Sequence, residues 1–161
     1  MRYPLDRMII RTHQMGVYKP LSNTYGRWVR GKKAHQGWDL AAAPGTSVYA
    51  ITYGQAEAMP YHGDWGNWVR LAFLHKGRTH YAFYCHLSYS SVGRGCSVVE
   101  GSILGVTGMT GNAALLCEAE AHLHFGVATV PNPRKTGSAD RILDYIDPGE
   151  VLGYEVYRSS A

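Results

Sequence analysis

His122-Leu123-His124-Phe125-Gly126-Val127-Ala128-Thr129-Val130 is the stretch on which the reading of the fold turns. Two imidazoles alternate with two large apolar side chains, which is the period of a strand and not of a helix. In a strand His122 and His124 project to one face, their Cα atoms about 6–7 Å apart, and Leu123 and Phe125 project to the other. One face then suits a polar groove and the other a hydrophobic core. Similar short runs extend outward from this one, at residues 37–42, 47–51, 68–74, 79–86, 98–99 and 103–107. Pro44-Gly45, His62-Gly63, Lys76-Gly77 and the glycines at 93 and 95 punctuate them as turns. Residues 1–34 read as irregular. Residues 113–121 read as a helical turn, and residues 140–146 as a short helix stopped by Pro148. The chain of 161 residues fits one domain with a real core. Its 19 glycines, and 12 tyrosines against 3 phenylalanines, favour strands joined by tight turns. The expectation is a single, mainly β domain with short helical decorations.

Charge narrows the partners. The net charge of +4 favours anionic ones, but the cations are dispersed. The densest run, Arg27 to Lys33, reads as a solvated loop. A nucleic-acid-binding β-domain would need a contiguous basic face with exposed stacking rings, so no nucleic-acid partner is expected. Cys85, Cys96 and Cys117 form no CxxC pair, which argues against a cysteine zinc site. If one disulfide forms, Cys96–Cys117 is the best pair, because both lie in loop-like sequence. Cys85, next to His86 in a strand, is expected to face away from the groove as a buried thiol. No membrane span is read. Nor is a secretory leader, since Met8-Ile9-Ile10 is the sole apolar run near the start.

Eight histidines supply the candidate chemistry. Beside the His-x-His pair stand His35-Gln36-Gly37-Trp38-Asp39 and the single His86 in Tyr84-Cys85-His86-Leu87-Ser88. Gly37 argues against a helix through His35 and Asp39. In a fully extended strand the two would be about 13 Å apart, too far for one ion. A bulge or turn at Gly37 is therefore expected to bring them together. Two imidazoles and one carboxylate are a familiar catalytic zinc shell, with a fourth position left for water. His13, His62, His75 and His80 are left as ordinary surface or core histidines, the last two flanking a hairpin turn.

At these residues the sequence resembles the lysostaphin/LytM-type zinc metalloendopeptidases, over roughly residues 23–153. His35-Gln36-Gly37-Trp38-Asp39 matches the His-x-Gly-x-Asp signature. The segment from Ala42-Ala43-Pro44-Gly45 to Ala50 matches the family's next segment, and Gly66-Asn67-Trp68-Val69 resembles a Gly-Asn-x-Val strand start. Tyr84-Cys85-His86-Leu87 resembles the Tyr-x-His-Leu strand, and His122-Leu123-His124-Phe125 closes the site. Tyr25-Gly26-Arg27 resembles the family's opening segment, with its Arg one place early. The loop 26–35 is short and the loop 111–121 is long and lacks a Gly-Pro. The resemblance implies a largely antiparallel sheet or sandwich with a long substrate groove. It implies one zinc per chain on His35, Asp39 and His124, with His86 and His122 as catalytic histidines. Asn23 and Tyr25 are candidate substrate-binding residues. Residues 1–22 would be an irregular N-terminal segment, 23–153 the catalytic domain and 154–161 a tail.

The implied substrate is the peptide part of peptidoglycan, cut as an endopeptidase. The D-alanyl–diaminopimelate cross-link is favoured over a glycine bridge, for a small domain without a wall-targeting module. A non-catalytic relative that binds the wall or a protein partner is the alternative. The expected place of action is the cell wall or periplasm. Without a leader, the chain would arrive by phage lysis as an endolysin, or by a secretion machine as an antibacterial effector, unless a leader was trimmed. An effector would have a cognate inhibitor in its producer.

Overall fold

The computed structural model describes residues 1–135 and 139–154, the side chains of 139–141 excepted. Most of the expected tail, residues 155–161, lies outside them. Among the described residues, thirteen strands follow in chain order. β1 (His13–Gln14) and β2 (Val17–Tyr18) form a small hairpin. β3 (Gly26–Arg30) and β4 (Lys33–His35) form a second. Then come β5 (Trp38–Ala41), β6 (Ser47–Tyr49), β7 (Gly54–His62), β8 (Gly66–His75) and β9 (Arg78–Ser90). β10 (Cys96–Val98), β11 (Ile103–Thr107), β12 (His122–Ala128), β13 (Tyr145–Ile146) and the helix α1 (Pro148–Leu152) complete the chain.

Nine strands join one antiparallel sheet in the order β10-β7-β8-β9-β11-β6. The 13-residue β9 is its axis. Along its other edge it pairs first with β12, from Tyr81 to Cys85, and then with β11, from Leu87 to Ser90. β12 in turn pairs β5 and β13. The expected mainly β, antiparallel fold is therefore what forms, as one large sheet with two small ones.

The alternation along β12 sorts the core. Leu123, Phe125 and Val127 enter the large apolar cluster with Leu40, Leu71 and Tyr84. The even-numbered positions turn to the other face, where Trp65, Trp68, Phe83, Cys85, Ala128 and Tyr145 form a second cluster. The lack of a side chain at Gly126 makes room there, since a Cβ would stand 2.1 Å from the Phe83 ring.

The register of β9 changes at His86. Asn67 pairs Leu87 while Val69 pairs Tyr84, so three steps of β9 face two of β8. His86 takes φ +65°, a left-handed conformation costly for a residue with a Cβ. The bulge puts Leu87 back into the large cluster and turns His86 to the face that carries His124. It also corrects the expectation for Cys85. This residue pairs directly with His124 and so shares its face instead of opposing it. It remains fully buried there, and burial pushes its thiol well above the ordinary value.

Several local expectations are corrected. Pro148 does not end a helix; it opens α1, where its fixed φ and missing N–H suit the first turn. Residues 139–144 form a 3-10 helix that runs into β13, and residues 111–115 and 118–120 form two more. The strand β7 has no clear sequence signal, because Gln55, Glu57 and Pro60 interrupt it. Pro60 is tolerated because β10 pairs only with residues 54–56 of that strand. No Cys96–Cys117 bridge forms, and all three cysteines are free. Cys96 lies at the β10 edge of the sheet, whereas Cys117 lies in the loop before β12 and contacts Glu120.

Residues 1–22, read as irregular, include the strands β1 and β2 and pack on the rest of the chain. Ile10 bridges to Leu40 of β5, and the β1–β2 turn is held by Glu120, whose carboxylate accepts from the backbone N–H groups of Met15 and Gly16. Among the described residues no helix is long and apolar enough to cross a membrane.

Candidate metal centre

The chain breaks its extended run between β4 and β5, at Gln36-Gly37. That break brings His35 back over Asp39, as the spacing required. A Cβ on Gly37 would stand 2.2 Å from the Phe125 carbonyl oxygen, a backbone atom of β12 that cannot move aside. Gly37→Ala is therefore expected to destabilise the fold by about 1–3 kcal/mol or more and to lower metal content. Thermal unfolding and elemental analysis read both effects, and a variant with unchanged Tm and metal would refute the close approach.

Strand pairing supplies the other contacts. Asp39 of β5 lies directly opposite His124 of β12. His35 Nε2 is 3.2 Å from Asp39 Oδ1 and 3.2 Å from His124 Nδ1, and His124 Nδ1 is 2.8 Å from Asp39 Oδ1. All three residues are buried. Tetrahedral zinc with bonds of about 2.0–2.1 Å spaces its donors about 3.3 Å apart, close to these separations.

Protonation supports the same fit. His35 Nδ1 is 2.8 Å from the Thr24 carbonyl oxygen, which can only accept, so Nδ1 carries the proton and Nε2 offers a lone pair. Burial lowers the pKa of His35 and of His124, which keeps both neutral. Burial alone would raise the Asp39 carboxyl, but its imidazole neighbours, His35 first, hold it well below the carboxylate range. The His35 lone pair thus faces a carboxylate oxygen with no proton of its own between them. His124 Nε2 is buried with no hydrogen-bond partner, which leaves Nδ1 as that ring's working atom. A cation among the three donors would satisfy this arrangement.

Asp39 is fixed from behind. Its Oδ2 accepts from Arg11 Nη2 at 3.1 Å and from Arg30 Nη2 at 2.7 Å, leaving Oδ1 to the imidazoles. Such outer contacts orient a ligating carboxylate. The sequence reading missed both arginines. Arg30 belongs to the run read as a solvated loop, and Arg11 comes from the segment read as irregular. A carboxylate proposed as a ligand does call for a partner on its second oxygen, but nothing in sequence spacing says which cation supplies it.

His86 and His122 stand beside this trio. Their rings are 4.8 Å apart and roughly perpendicular, and His122 Nε2 is 3.7 Å from Asp39 Oδ1. His86 Nδ1 faces the Thr110 carbonyl oxygen and His122 Nδ1 that of Glu120, so each donates there and keeps Nε2 as a lone pair. Burial, then the neighbouring His124, brings His86 down to about 4, and burial lowers His122 well below its ordinary value.

The five residues line one cavity of about 400 Å³. Asn23 and Tyr25, the candidates for substrate binding, do not line it. Asn23 is fully buried, accepting from Arg11 Nε and Nη2 and donating to the carbonyl oxygens of Arg11 and Lys19, so it steadies Arg11. Tyr25 packs against both apolar clusters and donates to the Tyr145 carbonyl oxygen.

The chain is 32% identical over 125 residues to an uncharacterized metalloprotease of Haemophilus influenzae, covering 77% of this chain and 24% of that protein. It is 32% identical over 93 residues to the peptidoglycan DD-endopeptidase ShyC of Vibrio cholerae, covering 58% of this chain and 20% of that one. The chain therefore spans only about a quarter or less of these curated relatives. The catalytic domain of the antimicrobial peptidase lysostaphin from Staphylococcus simulans has the same fold, with a TM-score of 0.57 at 29% identity over 75% of this chain and 80% of that one. The sequence profile of peptidase family M23 matches residues 33–137, a span that holds all five converging residues, and the chain belongs to that zinc-dependent metallopeptidase family.

Proposed function

We propose that this chain is a zinc metalloendopeptidase that hydrolyses peptide cross-links of peptidoglycan, at the bond between D-alanine and diaminopimelate. The observation that carries the reading is the convergence of His35 Nε2, Asp39 Oδ1 and His124 Nδ1, with two further unprotonated imidazole nitrogens beside them. His35, Asp39 and His124 would hold the zinc, which when bound supplies Lewis-acid polarisation of a carbonyl and an acidified water. The chain's own groups handle the protons. Nε2 of His86 or His122 can accept a proton from the attacking water and return it to the leaving amine. The protonated imidazole can also donate to the developing oxyanion. Their Nδ1–H bonds to carbonyl oxygens fix the rings so that Nε2 points inward.

Support for the cross-link comes from the curated relative named a peptidoglycan DD-endopeptidase. The loop at Gly31-Lys32 between β3 and β4 is short, which would favour entry of a branched peptide. The test incubates the protein with purified Gram-negative sacculi and, separately, with pentaglycine. Release of monomeric tetrapeptide from dimers is expected. Cleavage of pentaglycine with untouched dimers would overturn the choice of bond and leave the zinc centre standing.

A further inference from the structure

The cavity that holds the metal centre is lined by four cations, Arg11, Arg30, Lys33 and Lys135, against two carboxylates, Asp39 and Asp64. The cations are not equivalent. Arg11 and Arg30 are committed to Asp39 Oδ2. Lys33 is exposed to solvent. Lys135 differs from all three. Its Nζ stands 5.4 Å from the Trp65 ring centroid and 5.0 Å from that of Trp68, and it makes no ion pair with an acid among the described residues.

The platform under it is rigid. Trp65 is buried, stacked on Phe83 at 4.5 Å with an interplanar angle of 7° and set edge-on to Trp68 at 5.0 Å. Trp65 also neighbours His124, with ring centroids 6.0 Å apart. One indole thus touches both a half-buried ammonium and a metal-binding imidazole. Aromatic faces hold a cation without neutralising it, so Lys135 presents its full charge to whatever enters the cavity. An ammonium kept in place, with no ion pair to an acid among the described residues, is a receptor for an anion of the substrate.

We infer that Lys135, held over Trp65 and Trp68, binds a carboxylate of the substrate next to the scissile bond. The inference rests on the cross-link reading above and deepens it. Diaminopimelate joined through one amine carries a carboxylate on the same carbon, immediately beside the nitrogen that leaves. A glycine bridge has no such group at an internal bond, and an amidated diaminopimelate has lost its charge. Lys135 therefore selects free-acid cross-links over amidated ones.

The test uses the zinc-loaded protein and two purified dimers that differ only in whether the cross-linked diaminopimelate is a free acid or an amide. The wild type is expected to cut the free acid with the higher kcat/KM. Lys135→Gln should lose about 10- to 100-fold on the free acid, change little on the amide, and so bring the ratio towards one. Lys135→Arg should restore most of the preference. Zinc content should stay at the wild-type level in both variants. Calorimetric titration of zinc-stripped protein with the free-acid monomer, the expected product, gives a readout without turnover: binding should weaken in Lys135→Gln and persist in Lys135→Arg. Equal cleavage of both dimers by the wild type, or a loss in Lys135→Gln that is the same for both, would overturn the role of Lys135 while leaving the cross-link reading intact. No cleavage of either dimer would overturn that reading and this inference with it.

Discussion

His124→Ala should emerge from purification with less than about one tenth of the wild-type zinc, because a three-ligand shell cannot close on two donors. The variant should fold, since the ring lies against Trp65 and Phe83 at the lip of the second cluster and not in the main core. Elemental analysis gives the metal content and near-ultraviolet dichroism the packing. A folded variant with full zinc would show that His124 is not a ligand.

The second large effect is catalytic. His86→Ala and His122→Ala should each keep one zinc per chain and lose about 10²–10⁴-fold in kcat. Their ring nitrogens face backbone carbonyls on one side and the cavity on the other, so removing either ring takes away a proton acceptor without touching the three donors. Zinc loss in His122→Ala equal to that in His124→Ala would mean that the two members of His122-Leu123-His124 have exchanged roles. Turnover near that of the wild type would remove the altered histidine from the mechanism. His86→Ala carries a structural control as well. Residue 86 sits at φ +65°, and His86→Asn, which tolerates that conformation better than alanine, should recover stability without recovering activity.

The outcome for residues 1–34 shows where reading from sequence stops. Alternation along His122-Leu123-His124-Phe125 marks a strand because it records which side of a sheet each residue faces, and this is local information. Lys76-Gly77 marks a hairpin for the same reason: φ of +50° and +75° is needed at those two positions, and a glycine supplies one of them. By contrast β1, β2 and β7 are held by their partners and not by their own pattern. The N-terminal hairpin exists because the carboxylate of Glu120, more than a hundred residues away, satisfies two of its backbone N–H groups.

The sequence alone determined the mainly β class, the strand parity of His122 and His124, and the need for a chain break at Gly37 between His35 and Asp39. Those are consequences of periods and reach, which a chain carries within a few residues. The tertiary structure decided what depends on distant partners. It turned Cys85 to the face of His124, because a bulge at His86 resets which residues share a side. It made Asn23 a brace for Arg11, because full burial of a side-chain amide requires all its hydrogen bonds to be met inside the protein. It chose Arg11 and Arg30 as the pair that fixes Asp39, since only the folding of two separate segments onto β5 brings their charges within hydrogen-bond reach.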